Sequence, residues 1–159
     1  MNDYTPNFGL HHDINWRLIP FIDKDLLSRM PLCDFQIDYL ANSNYLNWDI
    51  ISNRPLPDYI LLNHKEKINW SIYLRNFDVD IKLLRQVRKY LYYDIFADRQ
   101  TKRYYNNQFI LSFPHLVDWK WCIKNIQLSN YILTTFRDKF KPSHIKKYQF
   151  KRASNRSGP

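Results

Sequence analysis

Apolar positions in this chain follow a long period. Trp48, Trp70, Tyr93, Trp119 and Pro142 each have an apolar residue two positions before them (Leu46, Ile68, Leu91, Val117, Phe140). Each also has one three positions after (Ile51, Tyr73, Phe96, Cys122, Ile145). These anchors stand 22, 23, 26 and 23 residues apart. Between them a second apolar cluster recurs: Tyr59 with Ile60, Leu83 with Leu84, Phe109 with Ile110, and Tyr131 with Ile132. The longest interval contains the polar stretch TKRYYNNQ at 101–108, which reads as an inserted turn.

A spacing of three places residues on one face of a helix. Asn47, Asn69 and Asp118 directly precede a Trp, where an Asx side chain accepts from a first-turn amide and starts a helix. Ser129 has the matching place before a second helix, with Leu128, Ile132 and Phe136 turned inward. Pro55 and Pro57 end the first helix of the 48–60 unit. An earlier unit aligns KDLLSRMPL (24–32) with WDIISNRPL (48–56), placing Lys24 at the Trp position. Trp16 then belongs to an N-terminal cap or a misregistered half-unit. Helices of about two turns are marginal alone, so neighbouring units must stabilise one another. The expected fold is all-α: a solenoid-like, right-angled stack of about five or six short helix-turn-helix repeats of 22–26 residues, with Trp48, Trp70, Tyr93 and Trp119 as core anchors. Its expected limits are an N-terminal arm or cap at 1–23, repeats at 24–150 and a basic tail at 151–159. FILSF (109–113) and YLYYDIF (90–96) have strand-like composition, but both fall on repeat positions read as helix.

These stretches resemble a short repeat family found widely in giant DNA viruses and some phages, whose unit reads V-[ND]-W-x-x-I-S-x-x-Q-x-L-S-E-x-F-I. The matching segments are 46–60, 68–84, 117–132 and 140–149; with weaker units the resemblance spans about residues 24–150. Among the clear units the Ser four after the anchor survives only as Ser52, and the Gln seven after as Gln100 and Gln149. The resemblance implies a scaffold or interaction surface, in a viral particle or at a host interface, and no catalytic residue.

Composition narrows the function. Aromatics make up 17% of the 159 residues, and only two Gly are present, which argues against a glycine-built phosphate loop. Cys33 and Cys122 are far apart and read as buried free thiols in a reducing compartment. No apolar run approaches the ~20 residues of a membrane span. The expected location is intracellular, in the host cytoplasm or in the virion.

Charge is split along the chain. Residues 1–80 carry 7 Lys/Arg against 11 Asp/Glu, and residues 81–159 carry 17 against 4. A basic half attracts polyanions or an acidic protein surface. Lys82, Arg85 and Lys89 fall on one helical stripe beside Arg88. Lys139, Lys141, Lys146, Lys147, Lys151, Arg152 and Arg156 are interleaved with Phe140, Tyr148 and Phe150, a mixture that suits phosphate contacts with base stacking or an arm laid on a neighbouring subunit.

No catalytic, metal-binding or cofactor-binding constellation emerges. His11 and His12 lack a third ligand nearby, while His64, His115 and His144 are scattered. Asp23/Asp25 and Asp78/Asp80 read as caps or solvated faces. The expectation is a non-enzymatic structural or adaptor protein that docks on protein partners through its basic half, with nucleic acid as the alternative partner and no membrane insertion. Removing residues 142–159 is expected to weaken attachment and spare the stack.

Overall fold

The computed structural model describes residues 16–150, the side chains of Trp16 and Phe150 excepted. Residues 1–15 and the tail 151–159 lie outside that range, and with them His11, His12, Lys151, Arg152 and Arg156. The described residues form an all-α fold of eleven short α-helices, with no strand among them. The segments 90–96 and 109–113 are not strands: they supply the helices Tyr93–Ala97 and Asn107–Ser112, with the turn Arg88–Tyr90 before the first.

Helices begin on the anchor positions. After a 3-10 turn at Trp16–Phe21 come α1 (Lys24–Arg29) with α2 (Asp34–Ala41), and α3 (Trp48–Ile51) with α4 (Asp58–Asn63). The series continues with α5 (Trp70–Asn76) and α6 (Ile81–Gln86), α7 (Tyr93–Ala97) and α8 (Asn107–Ser112), and α9 (Trp119–Asn125) and α10 (Asn130–Thr135). A half-unit closes it: α11 (Pro142–Ile145) followed by the wide π-type turn Lys146–Phe150. The Lys24 alignment therefore holds, and Asp23 caps α1 by accepting from the amides of Asp25 and Leu26. The other capping residues act as their spacing implies. Asn47, Asn69, Asp118 and Ser129 accept from the amides of Asp49, Ile72, Trp121 and Ile132. Pro57 stands at the start of α4.

By compactness the chain divides at Tyr73/Leu74 into two units. In the first, the core is built from Leu27, Ile37, Leu40, Leu46, Ile51, Ile60, Leu61 and Ile68. In the second it is built from Leu84, Phe96, Phe109, Ile110, Phe113, Cys122, Ile123 and Ile132. Phe109 lies at the centre of the second core, with ring centroids 4.9 Å from Phe96, 5.1 Å from Phe113 and 5.6 Å from Tyr105.

The register of burial differs from the expectation in two ways. The residue three after each full-unit anchor is always buried: Leu27, Ile51, Tyr73, Phe96 and Cys122. The anchors themselves vary. Trp70 is 3% exposed, Trp48 and Trp119 are half-buried, and Tyr93 is 46% exposed. Tyr93 is thus corrected from core anchor to surface residue, with Ile95 and Phe96 turned inward in its place. In the second helices the inward residues are the third and fourth, as with Leu83 and Leu84. Tyr59 and Tyr131 are second residues and point outward, because one step rotates a side chain by about 100° around a helix.

The insertion at 101–108 is more than a surface turn. Its 3-10 turn, Thr101–Tyr104, buries Thr101, Tyr104 and the following Tyr105. The Thr101 hydroxyl donates to the Ile95 and Asp98 carbonyls at 2.6 and 3.0 Å.

Candidate functional site

Hydrogen bonds between residues about twenty apart tie successive helices together. The Asn47 amide donates to Ser28 Oγ at 2.7 Å, while its Nδ2 donates to Asp25 at 2.6 Å. One repeat later Asn69 does the same to Ser52 Oγ (2.9 Å) and Asp49 (2.7 Å). Ser28 and Ser52 are fully buried, so each satisfies an amide that would otherwise be stranded. In the second unit the Asp118 amide donates to the hydroxyl of Tyr105 at 3.0 Å. That hydroxyl in turn donates to the carbonyls of Phe96 and Leu116, and burial pushes its pKa up. The tyrosine supplied by the insertion therefore takes the role of the missing serine.

Polar side chains also close the carbonyl ends of earlier helices. Arg54 donates to the Ser28 and Met30 carbonyls, and burial pulls its pKa below the ordinary value. Lys67 donates to the Ala41 carbonyl. Arg103 reaches the carbonyls of Leu74, Arg75 and Phe77 while its Nε holds Asp78 at 2.6 Å. Gln149 is 2% exposed. It accepts from the Leu128 amide at 2.8 Å and donates to the Ile123 and Ile126 carbonyls at 2.7 and 2.9 Å. The turn that carries it packs on α9. Of residues 142–149 only Gln149 is buried, but its bonds tie the segment to the core, which corrects the expectation that removing 142–159 spares the fold. Gln100, the other Gln of the repeat pattern, is exposed.

These bonds absorb the titratable pairs singled out in the sequence. Asp23 and Asp80 are helix caps, Asp25 receives Asn47, and Asp78 receives Arg103. His64 is buried, lies 2.6 Å from an oxygen of Asp38, and packs its ring 5.6 Å from that of Trp48. His115 is exposed, and His144 lies edge-on to Tyr148. Among the described residues no group of three or more His, Cys, Asp or Glu could hold a metal ion.

The cysteines differ from each other. Cys122 is buried as expected, and burial pushes its thiol pKa up to about 12. Cys33 is exposed at the start of α2, where its amide donates to Gln36, correcting the reading of both as buried. A thiol-specific aromatic disulfide reagent is therefore expected to label Cys33 at once in native protein and Cys122 only on unfolding. Two equivalents reacting at the same fast rate without denaturant would refute this.

The second unit contains both internally paired and free cations. Arg75 pairs with Asp98 at 3.4 Å, and Lys102 with Asp118 at 3.2 Å. Lys139 pairs with Asp138 at 2.8 Å and holds that carboxyl below its ordinary pKa. Arg85 donates to Ser112 Oγ from both Nε and Nη2. Lys82, Lys89, Lys141, Lys146 and Lys147 are exposed and have no carboxylate partner among the described residues. Lys120, Lys124 and Arg137 share that condition. The stripe of Lys82, Arg85 and Lys89 is broken, because α6 ends at Gln86 and Lys89 lies in the turn that follows. Two of the interleaved aromatics are engaged: Phe140 is buried against Trp119, 5.4 Å between centroids, and Lys147 lies over the Tyr148 ring at 5.2 Å.

The fold and this surface define an all-α protein of short helices with a cationic second unit. Comparison with protein-family models, curated proteins and solved structures finds no match. Among the described residues no helix is long and apolar enough to cross a membrane.

Proposed function

We propose that this protein is a non-enzymatic structural or adaptor component of a larger viral assembly, and that its basic C-terminal half docks on an acidic surface of a protein partner. One observation carries the reading. Asp78, Asp98, Asp118 and Asp138 are each spent on an internal cation, leaving the exposed lysines around α9 to α11 without a carboxylate partner among the described residues. Such a surface steers an acidic partner and fixes its orientation. The repeat pattern and its resemblance to viral units support the assembly role.

A protein partner is favoured over nucleic acid because Phe140 and Tyr148, two of the aromatics interleaved with these lysines, are engaged. Phe140 packs under Trp119, and Tyr148 carries Lys147 and His144 on its ring. Single-strand binders instead keep open rings for base stacking.

A zero-length carbodiimide cross-linker, applied to the native assembly, joins lysine amines only to carboxylates in contact. Cross-links from Lys120, Lys124, Lys141, Lys146 and Lys147 to Asp or Glu of another protein are expected. Recovery with nucleic acid, no such cross-links, and an affinity for DNA that falls steeply with salt would replace this reading with the alternative.

A further inference from the structure

Among the described residues the half-unit that begins at Pro142 is less covered on its inner side than the full units. In the units anchored at Trp48, Trp70, Tyr93 and Trp119 the residues two before and three after the anchor are buried, as with Val117 and Cys122. The anchor Trp119 packs against Phe136, tilted, and against Phe140, edge-on, with centroids 4.9 and 5.4 Å away. In the final half-unit the anchor is Pro142, whose small pyrrolidine ring cannot fill the space that an indole takes. Ile145, three residues on, is only half-buried. An open groove of about 610 Å³ lies here, lined by Arg137, Asp138, Phe140, Pro142 and Ile145. Its floor is made of the residues that a following repeat would cover.

The charge around it selects the occupant. Asp138 is already held by Lys139. Arg137 is exposed, as are Lys141 and Lys146, which flank Pro142 and Ile145 in sequence. Residues 151–159 add Lys151, Arg152 and Arg156 and no acid, so charge directs the groove to a segment from elsewhere. We infer that the groove is a peptide-docking site for an acidic segment of a partner protein, which inserts an aromatic or branched aliphatic residue where a further repeat would place one. The inference rests on the docking role proposed above and narrows it to one apolar slot with a cationic rim.

The test uses full-length protein and a dye-labelled peptide, Asp-Glu-Asp-Phe-Leu-Asp-Glu-Asp, read by fluorescence polarisation. A control peptide carries Ser in place of Phe and Leu. The control is expected to bind at least about tenfold more weakly, because a central apolar anchor dominates such contacts. Pro142→Trp, which puts an indole into the groove, is expected to lower peptide affinity by about tenfold without lowering the melting temperature. Ile145→Asp should do the same to affinity, with circular dichroism confirming the fold. Equal binding of the two peptides overturns the groove and leaves the docking role intact, since the lysines alone would account for it. Equal binding by Pro142→Trp and parent does so too. Self-association that Pro142→Trp abolishes, or displacement of the peptide by a short DNA strand at equal charge, overturns the inference in favour of a second copy or a nucleic acid. Absence of both peptide binding and carboxylate cross-links removes the docking role as well.

Discussion

Trp70→Ala is expected to cost about 3–5 kcal/mol of folding stability, the range for a large aromatic truncated in a packed core. Trp70 is 3% exposed, and its indole Nε1 donates to the Lys65 carbonyl at 2.9 Å. The substitution opens a cavity and leaves that carbonyl without its donor. It also removes the edge contact to Tyr73, 6.1 Å between centroids. Tyr73 in turn holds both backbone groups of Leu56, donating to its carbonyl at 3.0 Å and accepting from its amide at 3.2 Å. Trp70 thus supports the residue that closes the stretch between α3 and α4. Tyr93→Ala, at the same repeat position but 46% exposed, should cost less than about 1 kcal/mol. Urea titrations followed by circular dichroism measure both, as a shift of midpoint at constant slope. Equal effects from the two substitutions would mean that repeat position, and not burial, sets their worth.

That contrast marks the boundary of what the letters reveal. Helix starts were legible because a cap is a local device: Asn47, Asn69, Asp118 and Ser129 bond to amides two or three residues away, within the reach of sequence spacing. The buried rows two before and three after the anchors Trp48, Trp70, Tyr93 and Trp119 were legible because they too follow a local helical spacing. The facing of individual residues was harder to read. Helices of four to seven residues complete fewer than two turns, so a one-residue error in aligning Tyr59 with Leu83 leaves a similar apolar pattern and turns the side chain outward.

Long-range bonds were hidden for a different reason. Ser28, Ser52 and Arg103 each meet partners from 17 to 29 residues away, and a single contact at that distance imposes no local period. A signal existed, though only in the alignment of repeats. Asp25 and Asp49 share a column, as do Ser28 and Ser52, and Asn47 stands above Asn69. Read together, an acid, a hydroxyl and an amide recurring at matched positions describe a ladder. At the candidate site, the cationic surplus was legible in composition. Which cations are spent internally was not, since Arg85 and Lys139 look no different in sequence from Lys82 and Lys141.

Gln149 tests whether the chain's last described turn is structural. Its side chain fills three hydrogen-bonding roles at a site where Leu128 and Ile123 are 3% and 2% exposed, so water cannot readily replace it. Gln149→Ala strands the Leu128 amide and weakens the closure of α9, whose carbonyls at Ile123 and Ile126 lose a donor. Each stranded buried group costs about 1–3 kcal/mol, and the three share one network, so a loss of about 2–4 kcal/mol is expected. Gln149→Glu should be no better, because a carboxylate keeps the acceptor for Leu128 but sets negative charge against two carbonyl oxygens. A chain ending at Lys141 should lose this network together with the cover that the turn Lys146–Phe150 gives α9, and melt well below the parent. The measurement is a thermal melt of the Ala and Glu variants and the shortened chain beside the parent. A shortened chain that melts with the parent would return residues 142–149 to the role of a detachable arm, and the groove beside Ile145 would then belong to that arm and not to the final repeat.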